Sequence, residues 1–398
     1  MRLLLVDDEI RLLEGLRRSL RLERPEWHVA TAASGTEAFQ KIQSEEPFDM
    51  LITDMLMPGM DGSALLRESQ RVAPGMVRII LSGHAGIELI QSCEASFHQF
   101  LAKPVDPDRF IALVDSFAAK EDTPSMSRAR QLVAGLDRVP SLPSLHRGLS
   151  CLLREGHPSI EEVLAIVRLD MGMATKILKL VNSSYLTLAA KVTDLTQALE
   201  LIGLDLLKQA VLERGAMTAA QSLHPSGLDL AELWEHSAQV AQMASLLAAA
   251  EQVGQEEASH CYTAGLLHDV GRVVMALDPS LDYHRVLSES RRLDAPLPLL
   301  ELEAYGTTHA EVGAELLHLW GLDPRLCDLV AGHHGRIHCT CGSIPNCILK
   351  CADLWSSSQA SENPFSDGYT PPGDEPQPCL ARWMPVLGGH AQGLSADH

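Results

Sequence analysis

Five short apolar runs, at residues 3–6, 28–30, 50–53, 77–81 and 100–102, alternate with amphipathic segments near 9–21, 35–45, 62–71, 86–95 and 107–118. No other feature of the chain narrows its fold so far. Strands that alternate one for one with helices predict a parallel sheet covered on both faces. In such sheets, function gathers at the carboxyl ends of the strands. Ser34 and Glu37 frame a capping box that opens the second amphipathic segment.

The residues at those strand ends carry chemistry. Asp7 and Asp8 end the first run and Asp54 ends the third. Three neighbouring anions raise one another's pKa unless a cation sits among them. An oxygen-only ligand set suits Mg²⁺, which keeps several waters and takes one or two carboxylates plus a phosphate. Lys103 follows the fifth run and Ser82 the fourth, so an ammonium and a hydroxyl reach the same edge. Together these groups describe a phosphoryl-transfer site with Asp54 as the nucleophile that forms an acyl phosphate.

Residues 1–118 resemble the receiver domain of two-component response regulators. The matching stretches are LLLVDDE, DMLMPGMDG around Asp54, LSGHA around Ser82 and FLAKP around Lys103. The resemblance implies a doubly wound, flavodoxin-like α/β fold with a five-stranded parallel sheet. It implies that Asp8 and Asp54 ligate Mg²⁺, with Asp7 helping through water, and that Lys103 and Ser82 contact the phosphoryl oxygens. Phe100 matches the family's switch aromatic, which turns inward when the hydroxyl moves to the phosphoryl group. The Lys103-Pro104 bond is typically cis in this family. Gly83 stands where a small residue such as Ala is common.

Residues 119–131 are polar and carry a proline, and read as a linker or as a helix frayed at its start. From 132 to 355 helix follows helix. Ser159 with Glu162 and Thr308 with Glu311 frame capping boxes, Asp194 caps a helix that Gly203 ends, and Asp323-Pro324 supplies an N-cap and an N1 proline after Gly321. Residues 356–398 are rich in Ser, Pro and Gly without periodicity, and read as a largely disordered tail.

Within 132–355 the stretches VPSLPSL, EEVLAIVRLDMGMATKILKLVNSSYL and DLTQALELIGLDLLKQAVL resemble the HDOD output domain, an all-α relative of the HD phosphohydrolases. One departure is Asp170-Met171, where the family usually has Asp-Pro. The same region holds His236, His268, Asp269, His309, His333, His334 and Asp353. His and Asp are ligands for Mn²⁺, Fe²⁺ or Zn²⁺. His309 opens a capped helix, whose positive end favours the neutral imidazole a metal needs. Arg272, one turn beyond Asp269, is placed to meet a phosphate. HD phosphohydrolases draw metal ligands from an early His, a His-Asp pair and a late Asp, and all occur here in that order. The bland alternative is a buried, hydrogen-bonded polar core. The Gly-Tyr-Pro tract of the cyclic-di-GMP phosphodiesterases is absent, and Gly-Arg follows His334. His338, Cys339, Cys341, Cys347 and Cys351 lack the spacing of a zinc site, and the last two lie one helical turn apart for packing.

Net charge is −20, which opposes binding to a phosphate backbone or an anionic membrane surface. No apolar stretch reaches the length of a membrane span, and MRLLLV is too short for a signal-peptide core. The nine cysteines show no secreted-domain framework, so reduced thiols in a cytoplasmic protein are expected. The sequence thus predicts a response regulator phosphorylated by a sensor histidine kinase and signalling to a downstream protein through its HDOD domain, with self-association into a homodimer left open. The competing reading is a metal-dependent phosphohydrolase or phosphodiesterase under receiver control.

Overall fold

The computed structural model describes residues 1–83, 97–118, 123–136, 139–156, 158–182, 191–212, 227–334, 343–359 and 383. The amphipathic segment expected near 86–95 and most of the tail lie outside these residues. The chain divides into two compact units.

The first unit is a five-stranded parallel sheet of β1 (Arg2–Val6), β2 (His28–Ala32), β3 (Met50–Asp54), β4 (Val77–Ser82) and β5 (Gln99–Ala102), in the order β2-β1-β3-β4-β5. Each apolar run of the sequence is one of these strands. Every residue of β3 is buried, as a central parallel strand requires. Leu4, Val6, Leu51 and Ile80 pack on one face with Ala38, Leu65 and Leu66 of helices Gly35–Ser44 and Gly62–Val72. Helices Ile10–Glu23 and Pro107–Ala118 pack on each other, pinned by the two bonds of Arg24 to Asp115 at 2.9 and 2.7 Å.

The expected box at Ser34 is half formed. Ser34 Oγ accepts from Glu37 N, but the Glu37 carboxylate reaches back to Ala33 N rather than Ser34 N. Asp61 caps the helix after β3 through Ala64 N. Most of the segment 119–131 is helical, within a helix at Pro124–Ala134 capped by Thr123.

That helix is tied to the sheet by two buried side chains. The Arg78 guanidinium donates to the carbonyls of Met76 (3.0 Å) and Ala134 (2.8 Å). His98 Nδ1 accepts from Arg78 N at 2.9 Å, so its proton sits on Nε2, 3.1 Å from Ala134 O. Burial, then the Arg78 charge, hold the His98 pKa well below its ordinary value.

The second unit is helical. Helices Leu230–Ala250, Gln255–Leu267 and Ile344–Gln359 pack against one another at its centre. The last extends over residues 356–359, which were expected to belong to the tail. Trp383, also expected in the tail, is buried, and its Nε1 donates to Glu251. The boxes at Ser159 and Thr308 both form, and the caps at Asp194 and Asp323 are present. Asp170 is fully buried and opens helix Met171–Asn182, accepting from Met173 N and Leu142 N. The missing proline therefore leaves the helix start intact. Among the described residues, no helix is long and apolar enough to cross a membrane.

The His98 geometry fixes a pH dependence. A histidine whose folded pKa is depressed contributes stability above its unfolded pKa and loses it as pH falls below that value, here 6.5. His98→Asn can still accept from Arg78 N without titrating. It should be about 1 kcal/mol less stable near neutrality. In urea titrations it should lose less stability than the wild type between about pH 7.5 and 5.5. Equal acid loss in the two proteins would show that His98 is not held neutral.

Candidate functional site

At the carboxyl edge of the sheet, β1 delivers Asp7 and Asp8, β3 delivers Asp54, and the turn after β5 delivers Lys103. Asp7 is fully buried, Asp54 is 7% exposed and Asp8 faces solvent. Oxygens of the three acids lie within 4.8 Å of one another. Lys103 Nζ stands 2.6 Å from Asp7 Oδ2 and 3.0 Å from Asp54 Oδ2. Burial raises the pKa of Asp7 against the pull of Lys103. Burial works to lower the pKa of Lys103, but its bonds to Asp7 and Asp54 outweigh burial and hold it as an ammonium. The Lys103-Pro104 peptide is cis. Phe100 is 2% exposed and belongs to the core. Ser82 ends β4 beside Ala102, and its side chain lies outside the described residues.

The loop after Asp54 is held close by Gly62. A Cβ there would stand 2.2 Å from Asp54 O, and Gly62 N donates to Met55 O.

The helical unit brings together all seven of the His and Asp residues singled out in the sequence. His236 lies on helix Leu230–Ala250. His268 and Asp269 lie between helices Gln255–Leu267 and Val270–Leu277. His309 opens helix His309–Leu319, His333 and His334 follow helix Pro324–Ala331, and Asp353 lies on helix Ile344–Gln359. All are buried except the half-buried His334.

Their orientation is ordered. The Nδ1 atoms of His268 and His333 sit 2.8 and 2.6 Å from the carbonyls of Gly265 and Val330. His309 Nδ1 sits 2.7 Å from Glu301 Oε2. Each ring thus donates outward from Nδ1 and turns Nε2 inward. Asp269 lies between two groups. Its Oδ1 is 3.3 Å from His309 Nε2 and 3.7 Å from His333 Nε2. Its Oδ2 is 3.3 Å from His268 Nε2 and 4.0 Å from His236 Nε2. Asp353 Oδ1 completes the second group, 3.1 Å from His236 Nε2.

Ligand atoms of His236, His268 and Asp353 lie within 4.8 Å of one another, and so do those of His309, His333 and His334. The Nε2 atoms of His268 and His333 and both oxygens of Asp269 are buried without a hydrogen bond of acceptable geometry. Buried polar atoms are rarely left so. Inward lone pairs on imidazole and carboxylate, each ring steadied from behind, fit one or two divalent cations of the Mn²⁺, Fe²⁺ or Zn²⁺ kind.

The electrostatics correct one expectation. The helix start does not leave His309 neutral. Burial lowers its pKa, but the Glu301 carboxylate, with the bonds to Asp269 and Glu301, outweighs burial and the Arg272 charge and drives it up to about 10. His309 is thereby held charged unless a cation replaces the proton at Nε2. His334, whose pKa burial drives well down, accepts from it at 2.6 Å. Asp269 is held well below the carboxylate range: burial acts to raise it, and the charges of Arg272 and His268 overcome that. The Arg272 Nε lies 3.2 Å from Asp269 Oδ1.

Two residues of this site escaped the sequence reading. Glu301 is fully buried on helix Leu297–Tyr305, where Leu299 and Leu302 are exposed instead. Gly271 lets helix Val270–Leu277 meet His309, since a Cβ there would stand 1.9 Å from His309 O. An acid inside an apolar run was the only sequence signal for the first, and a lone glycine for the second. Cys347 and Cys351 are buried, in keeping with a packing role. His338, Cys339 and Cys341 lie outside the described residues.

Residues 3–115 match the family model of the response regulator receiver domain, and residues 139–336 match that of the HDOD domain. The transcriptional regulatory protein GlrR of Escherichia coli (strain K12) is 39% identical over 124 residues, 31% of this chain and 27% of GlrR. An uncharacterized protein of Treponema pallidum (strain Nichols) is 26% identical over 239 residues, 59% of this chain and 45% of that protein. The shared segment is thus under half the length of both curated relatives. Among solved structures, the MmoQ response regulator of Methylococcus capsulatus aligns with a TM-score of 0.49 at 23% identity, covering 58% of this chain and 91% of that one.

Gly271→Ala should force helix Val270–Leu277 away from His309 and cost about 1–3 kcal/mol in urea unfolding. Gly254→Ala, at an N-cap where the nearest atom would be 3.8 Å from the new Cβ, should cost about 0.5–1 kcal/mol. Equal costs at the two positions would remove the close approach as a constraint on the site.

Proposed function

The chain carries a response regulator receiver domain followed by an HDOD domain, and from that premise we propose that Asp54 takes a phosphoryl group from a sensor histidine kinase and so controls what the HDOD domain does. The observation that carries this reading is the meeting of Asp7, Asp8, Asp54 and Lys103 at one sheet edge. An Asp54 oxygen attacks the phosphorus of the donor phosphohistidine. The O–P bond forms, the P–N bond breaks, and the imidazole leaves. Mg²⁺ held by Asp8 and Asp54, with Asp7 through water, would neutralise charge on the phosphoryl oxygens. Lys103, already charged and beside Asp54, turns its ammonium to a phosphoryl oxygen once the carboxylate charge is spent in the acyl phosphate. Ser82 and Phe100 carry the change onward by shifting an existing equilibrium, and the output reaches a downstream protein by contact.

The inward-facing Nε2 atoms favour a second reading of the HDOD cluster. His236, His268, Asp353 and one Asp269 oxygen would hold one divalent cation. His309, His333, His334 and the other Asp269 oxygen would hold a second. Bound cations of this kind supply a water of lowered pKa for phosphoester hydrolysis. Arg272 stands where its guanidinium could pair with a phosphate oxygen.

Acetyl phosphate with Mg²⁺ should label the wild type and not Asp54→Asn. Asp8→Ala should also lose labelling, because a direct metal ligand is gone. Equal labelling of Asp54→Asn would overturn the first reading. For the second, purified wild type should carry Mn²⁺, Fe²⁺ or Zn²⁺ by elemental analysis and Asp269→Ala should not. Metal at equal levels in both, or in neither, would leave the cluster as a polar core. Cyclic-di-GMP should not be turned over with Mn²⁺ or Fe²⁺, because Gly-Arg follows His334 in place of the residues that position that substrate. Turnover that Asp269→Ala abolishes would reverse this expectation.

A further inference from the structure

Four histidines of the HDOD cluster turn Nε2 inward, but only one is backed by a full negative charge. His268 and His333 rest on backbone carbonyls, and His236 Nδ1 faces Ser356 Oγ at 3.4 Å. His309 rests on Glu301. That carboxylate is fully buried. Its Oε2 accepts from both His309 N (2.9 Å) and His309 Nδ1 (2.7 Å), and its Oε1 accepts from Tyr283 OH at 2.6 Å. The two bonds to one residue fix the ring plane relative to its own backbone. The tyrosine bond stops the carboxylate from rotating away.

We propose that Glu301, clamped by Tyr283, is a positioning residue that makes His309 the strongest imidazole donor of the cluster and so sets the cation affinity of the half formed by His309, His333 and His334. The inference rests on the reading that this cluster holds metal. A carboxylate behind a ligating histidine fixes its tautomer and raises its basicity, and loss of such a partner costs about 10–100-fold in metal affinity. Among the described residues Glu301 bonds to Tyr283 and His309 and not to His236, His268 or Asp353, so that half keeps its affinity.

Glu301→Gln tests this with little change in shape. The Gln oxygen can still take both His309 N–H groups, and its amide replaces the Tyr283 O–H bond with an N–H bond of reversed direction, so the shape persists while the charge is lost. Full-length protein stripped of transition metal and held in excess Mg²⁺, which fills the oxygen-only sheet edge, is titrated with Mn²⁺ and Zn²⁺ by calorimetry, with Co²⁺ absorption as a report on ligand geometry. Wild type should bind two ions. Glu301→Gln should bind one with unchanged affinity and the other about 10–100-fold more weakly, with an altered Co²⁺ spectrum and a lower unfolding temperature without metal, because His309 loses its buried counter-charge. Tyr283→Phe should shift the same ion by less. Two ions bound by Glu301→Gln as in wild type would overturn the proposal alone. Loss of both ions would also overturn it, by assigning Glu301 a purely structural role. Fewer than two ions on the wild type would overturn the two-cation reading and the proposal with it.

Discussion

A buried carboxylate must meet positive charge or hydrogen-bond donors, and both halves of this chain are arranged around that demand. In the sheet, Asp7 has no exposure, and Lys103 comes within 2.6 Å of it from a different strand. In the helices, Asp269, Glu301 and Asp353 are each 8% exposed or less. Arg272, Tyr283 and four imidazoles answer them. Removing one partner from such a set leaves an uncompensated buried charge at a cost of about 3–5 kcal/mol. The elements that deliver the partners are therefore not free to drift. Gly62 and Gly271 are where this is most visible. Each sits at a contact too close for a Cβ, against Asp54 O and His309 O respectively.

The strands were legible because their signal is local. A run of apolar residues with polar flanks reads the same whatever surrounds it, and each of the five runs is a strand. The sheet-edge site was legible for the same reason one level up, since parallel strands with helical crossovers must bring their carboxyl ends together. The helical site was legible only as residue types. Its His and Asp residues span 236 to 353 and six elements, and no periodicity predicts which helices meet. Glu301 was hidden by its helix, which turns Leu299 and Leu302 to solvent and the acid inward. Helical periodicity, which puts leucines inside and acids outside, points the wrong way here. The charge state of His309 was hidden similarly, because the dipole of its helix was visible in the sequence and the role of the carboxylate eight residues earlier was not.

The two strands that meet Lys103 and Ser82 at one end also anchor a helix at the other. β4 runs from Arg78 toward Ser82, and β5 begins beside His98 and ends before Lys103. Arg78 and His98 both hold the last carbonyl of helix Pro124–Ala134. A strand in a parallel sheet is buried on both faces and changes length little. The far ends of β4 and β5 are thus held by two buried polar groups with defined partners.

The two clusters also differ in a way that sorts cations without a dedicated filter. The sheet edge offers oxygen alone, with Asp8 exposed to solvent and a lysine competing for two of its three acids. Such a place suits a small cation that keeps its waters, as Mg²⁺ does, while ions that seek imidazole gain little there. The helical cluster offers five imidazoles and two carboxylates in a largely dry interior. Mg²⁺ would have to surrender most of its hydration to nitrogen ligands it favours poorly. Mn²⁺, Fe²⁺ and Zn²⁺ would not. Under the proposed readings, one chain can hold Mg²⁺ at the sheet edge and Fe²⁺ or Zn²⁺ in the helical cluster in the same solution, because ligand chemistry and hydration rather than size disfavour the exchange, whereas Mn²⁺, which takes oxygen ligands as well, suits both sites.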